Sequence, residues 1–170
     1  EIGDALSLKQ SGPGVSSNET ENTVDFTTAS NLSDYLYVNV QLNHDRQLTT
    51  EIAPHIHFFQ AENNAPNFLL QYRWQKNGAA KVTSWTNLAC NTLVFAYTSG
   101  TIHQIADSAN ISAPSGDNIS DIVQFRIIRD NANTSTAFAG ADPYTATVGV
   151  IAFDVHLQID ATGSFTEYTK

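Results

Sequence analysis

From about residue 23 onward, apolar and polar positions alternate with a period of two. Leu36, Val38, Val40 and Leu42 fall on one side of this register, and Tyr35, Tyr37, Asn39 and Gln41 on the other. Successive side chains of an extended chain point to opposite faces, so the pattern predicts strands with one packed and one wet face. Phe68, Leu70, Tyr72 and Trp74 alternate in the same way with Asn67, Gln71, Arg73 and Gln75, interrupted only by Leu69. Val123, Phe125 and Ile127 alternate with Gln124 and Arg126. The clearest run is the last, in which Ile151, Phe153, Val155, Leu157 and Ile159 stand against Asp154, His156, Gln158 and Asp160.

Shorter strands are predicted over 23–27, 55–60, 81–86, 92–97 and 101–105, with short helical turns near 29–34 and 107–111. Gly78, Gly100, Gly116 and Gly140, with Asn, Asp, Pro and Ser around them, mark the turns. The polar stretches 110–121 and 130–145 read as surface loops. About eight or nine strands without an amphipathic helix predict an all-β domain over residues 23–170, a sandwich or a barrel. Residues 1–22 read as a flexible N-terminal arm or linker, because Ser11-Gly12-Pro13-Gly14-Val15-Ser16-Ser17-Asn18 has turn composition and no periodicity.

Composition narrows the function. Only 15% of the 170 residues are charged, against roughly 25% in ordinary soluble domains. Asn, Thr, Ser and Gln supply the remaining polarity. With 8 basic and 17 acidic residues the net charge is −9, so the phosphate-neutralising surface of a nucleic-acid binder is not expected. No apolar run approaches the roughly 20 residues of a membrane span. Signal-peptide patterning is absent, but the chain begins at Glu1 and contains no Met, so it reads as trimmed and that absence carries no inference. A lone cysteine, Cys90, forms no internal disulfide and is expected to be a small buried hydrophobe rather than a nucleophile.

Candidate chemistry centres on the histidines. His55-Ile56-His57 places two imidazoles on one face of a strand, and Asp154 and His156 repeat that spacing on the last strand. If those strands pair, four potential metal ligands converge. Without cysteine or a characteristic zinc spacing, the expectation is a polar hydrogen-bonded face and no bound metal or other cofactor. No nucleophile elbow, phosphate-binding loop, His-Glu-x-x-His or dinucleotide fingerprint occurs, so no catalytic residues are assigned. Glu51, Glu62, Asp117, Asp121, Asp130 and Asp142 fall mostly in predicted loops and read as solvated acids. Trp74, Trp85 and exposed tyrosines are candidate sugar-stacking groups. The sequons at Asn18, Asn31, Asn110, Asn118 and Asn133 are expected from so Asn-, Ser- and Thr-rich a composition.

Three segments taken in order resemble the C-terminal β-domain family of bacteriophage virion structural proteins. They are Pro54-His55-Ile56-His57-Phe58 with Leu70-Gln71-Tyr72-Arg73-Trp74; Phe125-Arg126-Ile127-Ile128-Arg129-Asp130; and Phe153-Asp154-Val155-His156-Leu157-Gln158-Ile159-Asp160 with Thr162-Gly163-Ser164. The likeness covers roughly residues 50–165. It implies a jelly-roll-like antiparallel β-sandwich that serves as a non-enzymatic, homotrimeric component of the virion, as a head fibre, decoration or tail protein. Its expected partners are its own copies, other virion proteins through the N-terminal arm, and a host-surface glycan. A trimer also covers strand edges that otherwise invite aggregation. His55, His57, Asp154, His156 and Gln158 are then candidates for the subunit interface. Two alternatives remain: a carbohydrate- or receptor-binding module, and a polysaccharide-degrading or metal-dependent cupin-like enzyme.

Overall fold

The computed structural model describes residues 9–159. These residues form ten strands and no helix: β1 (Lys9–Ser11), β2 (Val15–Asn18), β3 (Thr23–Phe26), β4 (Tyr35–Gln41), β5 (Ile52–Gln60), β6 (Phe68–Gln75), β7 (Thr86–Leu93), β8 (Ile102–Ser108), β9 (Ile122–Arg129) and β10 (Val148–Leu157). The predicted helical turns are not present. All ladders are antiparallel, and they join the strands in the order β1-β4-β9-β6-β7-β8-β5-β10-β3-β2.

The two end strands of that order, β1 and β2, are consecutive in the chain. Only Gly12, Pro13 and Gly14 separate them, so Ser11 and Val15 lie at most about 15 Å apart, four Cα steps of about 3.8 Å. The sheet must therefore curl until its edges approach, which makes it nearly a barrel. Asp34, fully buried just before β4, fastens this seam by accepting hydrogen bonds from Gly14 N (3.0 Å) and Asn31 N (2.9 Å). Gly12 has φ +93°, and a Cβ there would stand 1.9 Å from the Asp34 carboxylate. A side chain fits neither the dihedral nor the space.

The arm expected over 1–22 is thus corrected from Lys9 onward. Residues 9–11 and 15–18 pair with β4 and β3, and Val15 joins the core. Strands of three and four residues are too short to show periodicity, and they are held by pairing rather than propensity. Residues 1–8 lie outside the described residues.

Aromatic side chains from opposite parts of the curled sheet fill the interior. Phe68 on β6 meets Phe26 on β3 and Phe58 on β5 edge-on, with centroids 6.4 and 5.3 Å apart. Phe125 on β9 packs on Phe153 of β10 at 4.8 Å. Leu36, Val38, Val40, Leu42, Val123 and Ile127 are buried as their alternation predicts. Cys90 is also fully buried, and its thiol donates to Ala106 O at 3.0 Å.

Two strand predictions fail together. The strands expected over 81–86 and 92–97 are replaced by one, β7, lying between them. Its Asn87-Leu88-Ala89-Cys90-Asn91 centre has weak strand propensity, but β6 pairs with one edge and β8 with the other, and ladders on both sides override propensity.

The loop acids are corrected as well. Asp117, Asp121 and Asp130 are buried, as is the side chain of Asp142. Asp121 accepts from Trp74 Nε1, Asn77 N and Asn118 N at 2.8–2.9 Å. Asp130 accepts from the backbone of Thr134 and Ser135 at 2.8 and 2.9 Å. Asp117 pairs with Arg46 in full burial. Donors from the loops and from the adjoining strands replace water around each carboxylate, as burial of a charge requires.

Candidate functional site

In β5 the residues alternate strictly between buried and half-buried: Ile52, Pro54, Ile56, Phe58 and Gln60 face the core, and Ala53, His55, His57 and Phe59 face outward. Pairing then determines their neighbours. On one side His55 lies opposite Asp107 of β8 and Phe59 opposite His103. On the other, His55 lies opposite Asp154 of β10, and Ala53 opposite His156. Five titratable side chains, joined by His103, thus share the outer face of β8-β5-β10.

A β-bulge in β10 creates this arrangement. Val150 pairs with Phe58, both inward, but the next residue of β5, His57, pairs with Ala152. Ile151 is the extra residue. An unbroken register would have put Asp154 opposite Pro54 and into the core. The bulge instead sends Phe153, Val155 and Leu157 to the core and Asp154 and His156 outward, the re-aiming that bulges perform beside sites. It also corrects the predicted inward stripe at two places: Ile151 is 36% exposed, as the bulged residue, and Ile159, beyond β10, is 52% exposed.

The side chains form one contiguous polar patch built from two hydrogen-bonded groups. Asp107 Oδ1 accepts from His55 Nδ1 at 2.5 Å. Asp154 Oδ2 accepts from His57 Nε2 at 3.2 Å, and His57 Nδ1 lies 2.9 Å from His103 Nε2. The His55 and His156 rings stand 4.2 Å apart between centroids, tilted by 57°. His156 Nε2 is 3.9 Å from Asp154 Oδ2. Of the residues expected here, His55, His57, Asp154 and His156 come together. Gln158 does not join them: it is exposed beyond the end of β10 and takes part through its carbonyl, which accepts from Gln47 N at 2.7 Å. Asp160 and residues 162–164 lie outside the described residues. Sequence reasoning missed Asp107 and His103, although the period-two spacing His103, Ile105, Asp107 carried the same signal as His55 and His57.

The opposite wall carries a second polar patch, on β4, β9 and β6. The Arg126 guanidinium lies over the rings of Trp85 (4.3 Å) and Tyr35 (4.5 Å), and Arg73 lies 4.4 Å from Trp85. Arg73 also donates to Gln124 at 2.6 Å and to Tyr37 Oη at 3.0 Å. Trp74 is removed from the sugar-stacking candidates, since it is 8% exposed and its indole N–H is given to Asp121. Among the described residues no helix is long and apolar enough to cross a membrane.

No protein-family model, curated protein or solved structure matches the chain.

Proposed function

We propose that this chain is a non-enzymatic structural protein of a bacteriophage virion, a jelly-roll-like β-sandwich that assembles as a homotrimer. The strand order carries this reading. Strands β3 to β10 divide into two groups of four neighbours, β3-β10-β5-β8 and β4-β9-β6-β7. The chain crosses between the groups at every connection except β6–β7. Eight strands wound as two Greek keys make a jelly roll, an architecture of viral capsid and lectin domains. Fold alone does not fix function; the virion assignment adds the ordered resemblance of the segments around His55, Arg129 and His156.

The outer face of β8-β5-β10 suits a subunit contact. His55 with Asp107, and His57 with Asp154 and His103, are already bonded to one another, so these pairs are covered at lower desolvation cost than isolated charges. Light scattering tests the assembly. The expected mass is three chains, lowered by His156→Ala. A clean monomer refutes the trimer, and His156→Ala at full trimer mass removes this face as the contact. Gold-labelled antibody on intact particles tests the virion assignment, which fails if no label binds.

A second reading, a carbohydrate- or receptor-binding module, is favoured by the Arg73, Arg126, Trp85, Tyr35 and Tyr37 patch. Tryptophan, tyrosine and arginine are the residues that dominate recognition surfaces. A glycan-array signal abolished by Trp85→Ala would favour it over the purely structural role.

A further inference from the structure

We infer that His55, Asp154 and His156 form a binding site for a divalent transition-metal ion of the zinc, cobalt or nickel class, with Asp107 and His57 orienting the ligands. Three observations meet here. One ligand atom from each of the three residues lies within 4.8 Å of the others. Two of the buried side-chain atoms that lack a hydrogen-bond partner belong to this cluster, His55 Nε2 and Asp154 Oδ1. Both are acceptors once their neighbours are considered. Asp107, a carboxylate, accepts at His55 Nδ1, so the proton of the neutral ring sits there and Nε2 keeps its lone pair. Asp154 spends Oδ2 on His57, which leaves Oδ1 free.

Two buried acceptors in one cluster cannot satisfy each other. Leaving either unmet carries the desolvation penalty of an unpaired polar group, and one cation bound by both would meet both. A carboxylate behind a ligating imidazole is also the usual outer shell of a metal-bound histidine, because it fixes the ring's tautomer and orientation.

The donor set selects the ion. Two imidazoles and one carboxylate suit zinc and its first-row neighbours, whereas calcium and magnesium take shells of oxygen. Ligands around a tetrahedral ion at about 2.1 Å stand about 3.4 Å apart, so the 4.8 Å cluster must contract. His156 is the ligand freest to move, since its side chain is 70% exposed. Three protein ligands leave a fourth coordination position for water or another donor. The site is on the outer wall, whereas the interior behind it is filled by Ile56, Phe58 and Phe153.

All three ligands come from one chain, so the inference does not rest on the trimer. A monomer that binds metal refutes the assembly and leaves the site standing; a trimer that binds none does the reverse. The test is titration of the metal-free full chain with Co2+, read by visible d–d absorption and by calorimetry. One ion per chain is expected. His156→Ala and Asp154→Asn should each abolish the absorption, and Asp107→Asn should weaken binding by roughly 10–100-fold, the usual effect of losing an outer-shell partner. His44→Ala, a histidine bonded to Ser120 elsewhere in the fold, should leave binding unchanged. His55 is largely buried and its loss threatens β5, so the exposed His156 decides the matter, with circular dichroism confirming the fold. Absence of stoichiometric Co2+ from the wild type overturns the inference, as does binding that survives His156→Ala and Asp154→Asn together.

Discussion

Arg129 closes β9 and enters the core as a fully buried cation. Its Nε donates to Asp142 at 2.6 Å, Nη1 donates to Ala146 O (2.6 Å) and Phe26 O (3.2 Å), and Nη2 donates to Tyr144 O. One side chain thereby ties β3 and the 142–146 segment to β9. Truncation to alanine strips the Arg129 donors from three carbonyl groups and from the Asp142 carboxylate, which keeps only the Tyr144 N–H at 2.9 Å. Removing one partner of a buried pair costs about 3–5 kcal/mol, and each orphaned acceptor adds to that, less whatever water the loosened loop admits. A loss of about 4 kcal/mol or more is therefore expected from a total near 5–15 kcal/mol. In a chain of this length that lowers Tm by about 8–16 °C. Urea denaturation followed through Trp74 and Trp85 fluorescence, at one fixed protein concentration, measures it. Arg129→Lys keeps the charge but not the planar set of donors, and should lose roughly half as much. The double variant Arg129→Met/Asp142→Leu should lose less than Arg129→Met alone, because it strands no charge. The reasoning fails if Arg129→Ala costs under about 1 kcal/mol, the scale of an exposed ion pair, or if the two sites prove additive.

Two further outcomes follow from burial and register. Burial, reinforced by the Asp107 charge and opposed only by an Ile56 backbone hydrogen bond, pushes the Cys90 thiol up to about 12. The unfolded thiol therefore ionises first: stability from this group is intact below about pH 9 and declines toward pH 12, by about 1.4 kcal/mol per pH unit. Unfolding curves of wild type and Cys90→Ala should converge over that window, and folded protein at pH 8 should resist a disulfide reagent until denaturant is added; rapid labelling of the folded chain would contradict the burial. Deletion of Ile151 should yield a folded protein with an unchanged cluster, because it converts Val150↔Phe58 and Ala152↔His57 into a continuous ladder; loss of fold, or of the His156 response in the Co2+ titration, would show that the bulge itself is required.

The parts of the molecule legible in the sequence are those where one face is core and the other is solvent. Strands β4, β6 and β9 announce themselves because Val38, Leu70 and Phe125 each repeat at a spacing of two against amides and arginines. Strand β7 does not, since its Asn and Ala residues hold their place by ladders on both edges, a property of the neighbours rather than of the segment. The buried acids escape for a similar reason. An Asp followed by Asn, Ser and Thr reads as a solvated turn, and only the closed loop reveals that those neighbours are its hydrogen-bond donors. Asp130 with Thr134 and Ser135 is the clearest case.

The candidate site was half legible, and the missing half is instructive. Period two placed His55 with His57, and Asp154 with His156, but which face each pair occupies depends on phase, and phase is set where alternation breaks. In Val148-Gly149-Val150-Ile151-Ala152-Phe153 every residue is apolar or glycine, so the segment contains no mark of where the extra residue sits. Counting back from Phe153, Val155 and Leu157 put Ile151 inside; counting forward from Val148 and Val150 put Asp154 inside. Both cannot hold in a regular strand. The contradiction between the two counts was itself the signal, because a one-residue offset between two well-phased halves of a strand is what a bulge resolves. A bulge in β10 therefore follows from the apolar pattern alone once Val148 and Val155 are both required in the core. With it follows the outward placement of Asp154 beside His55, on which the metal site depends.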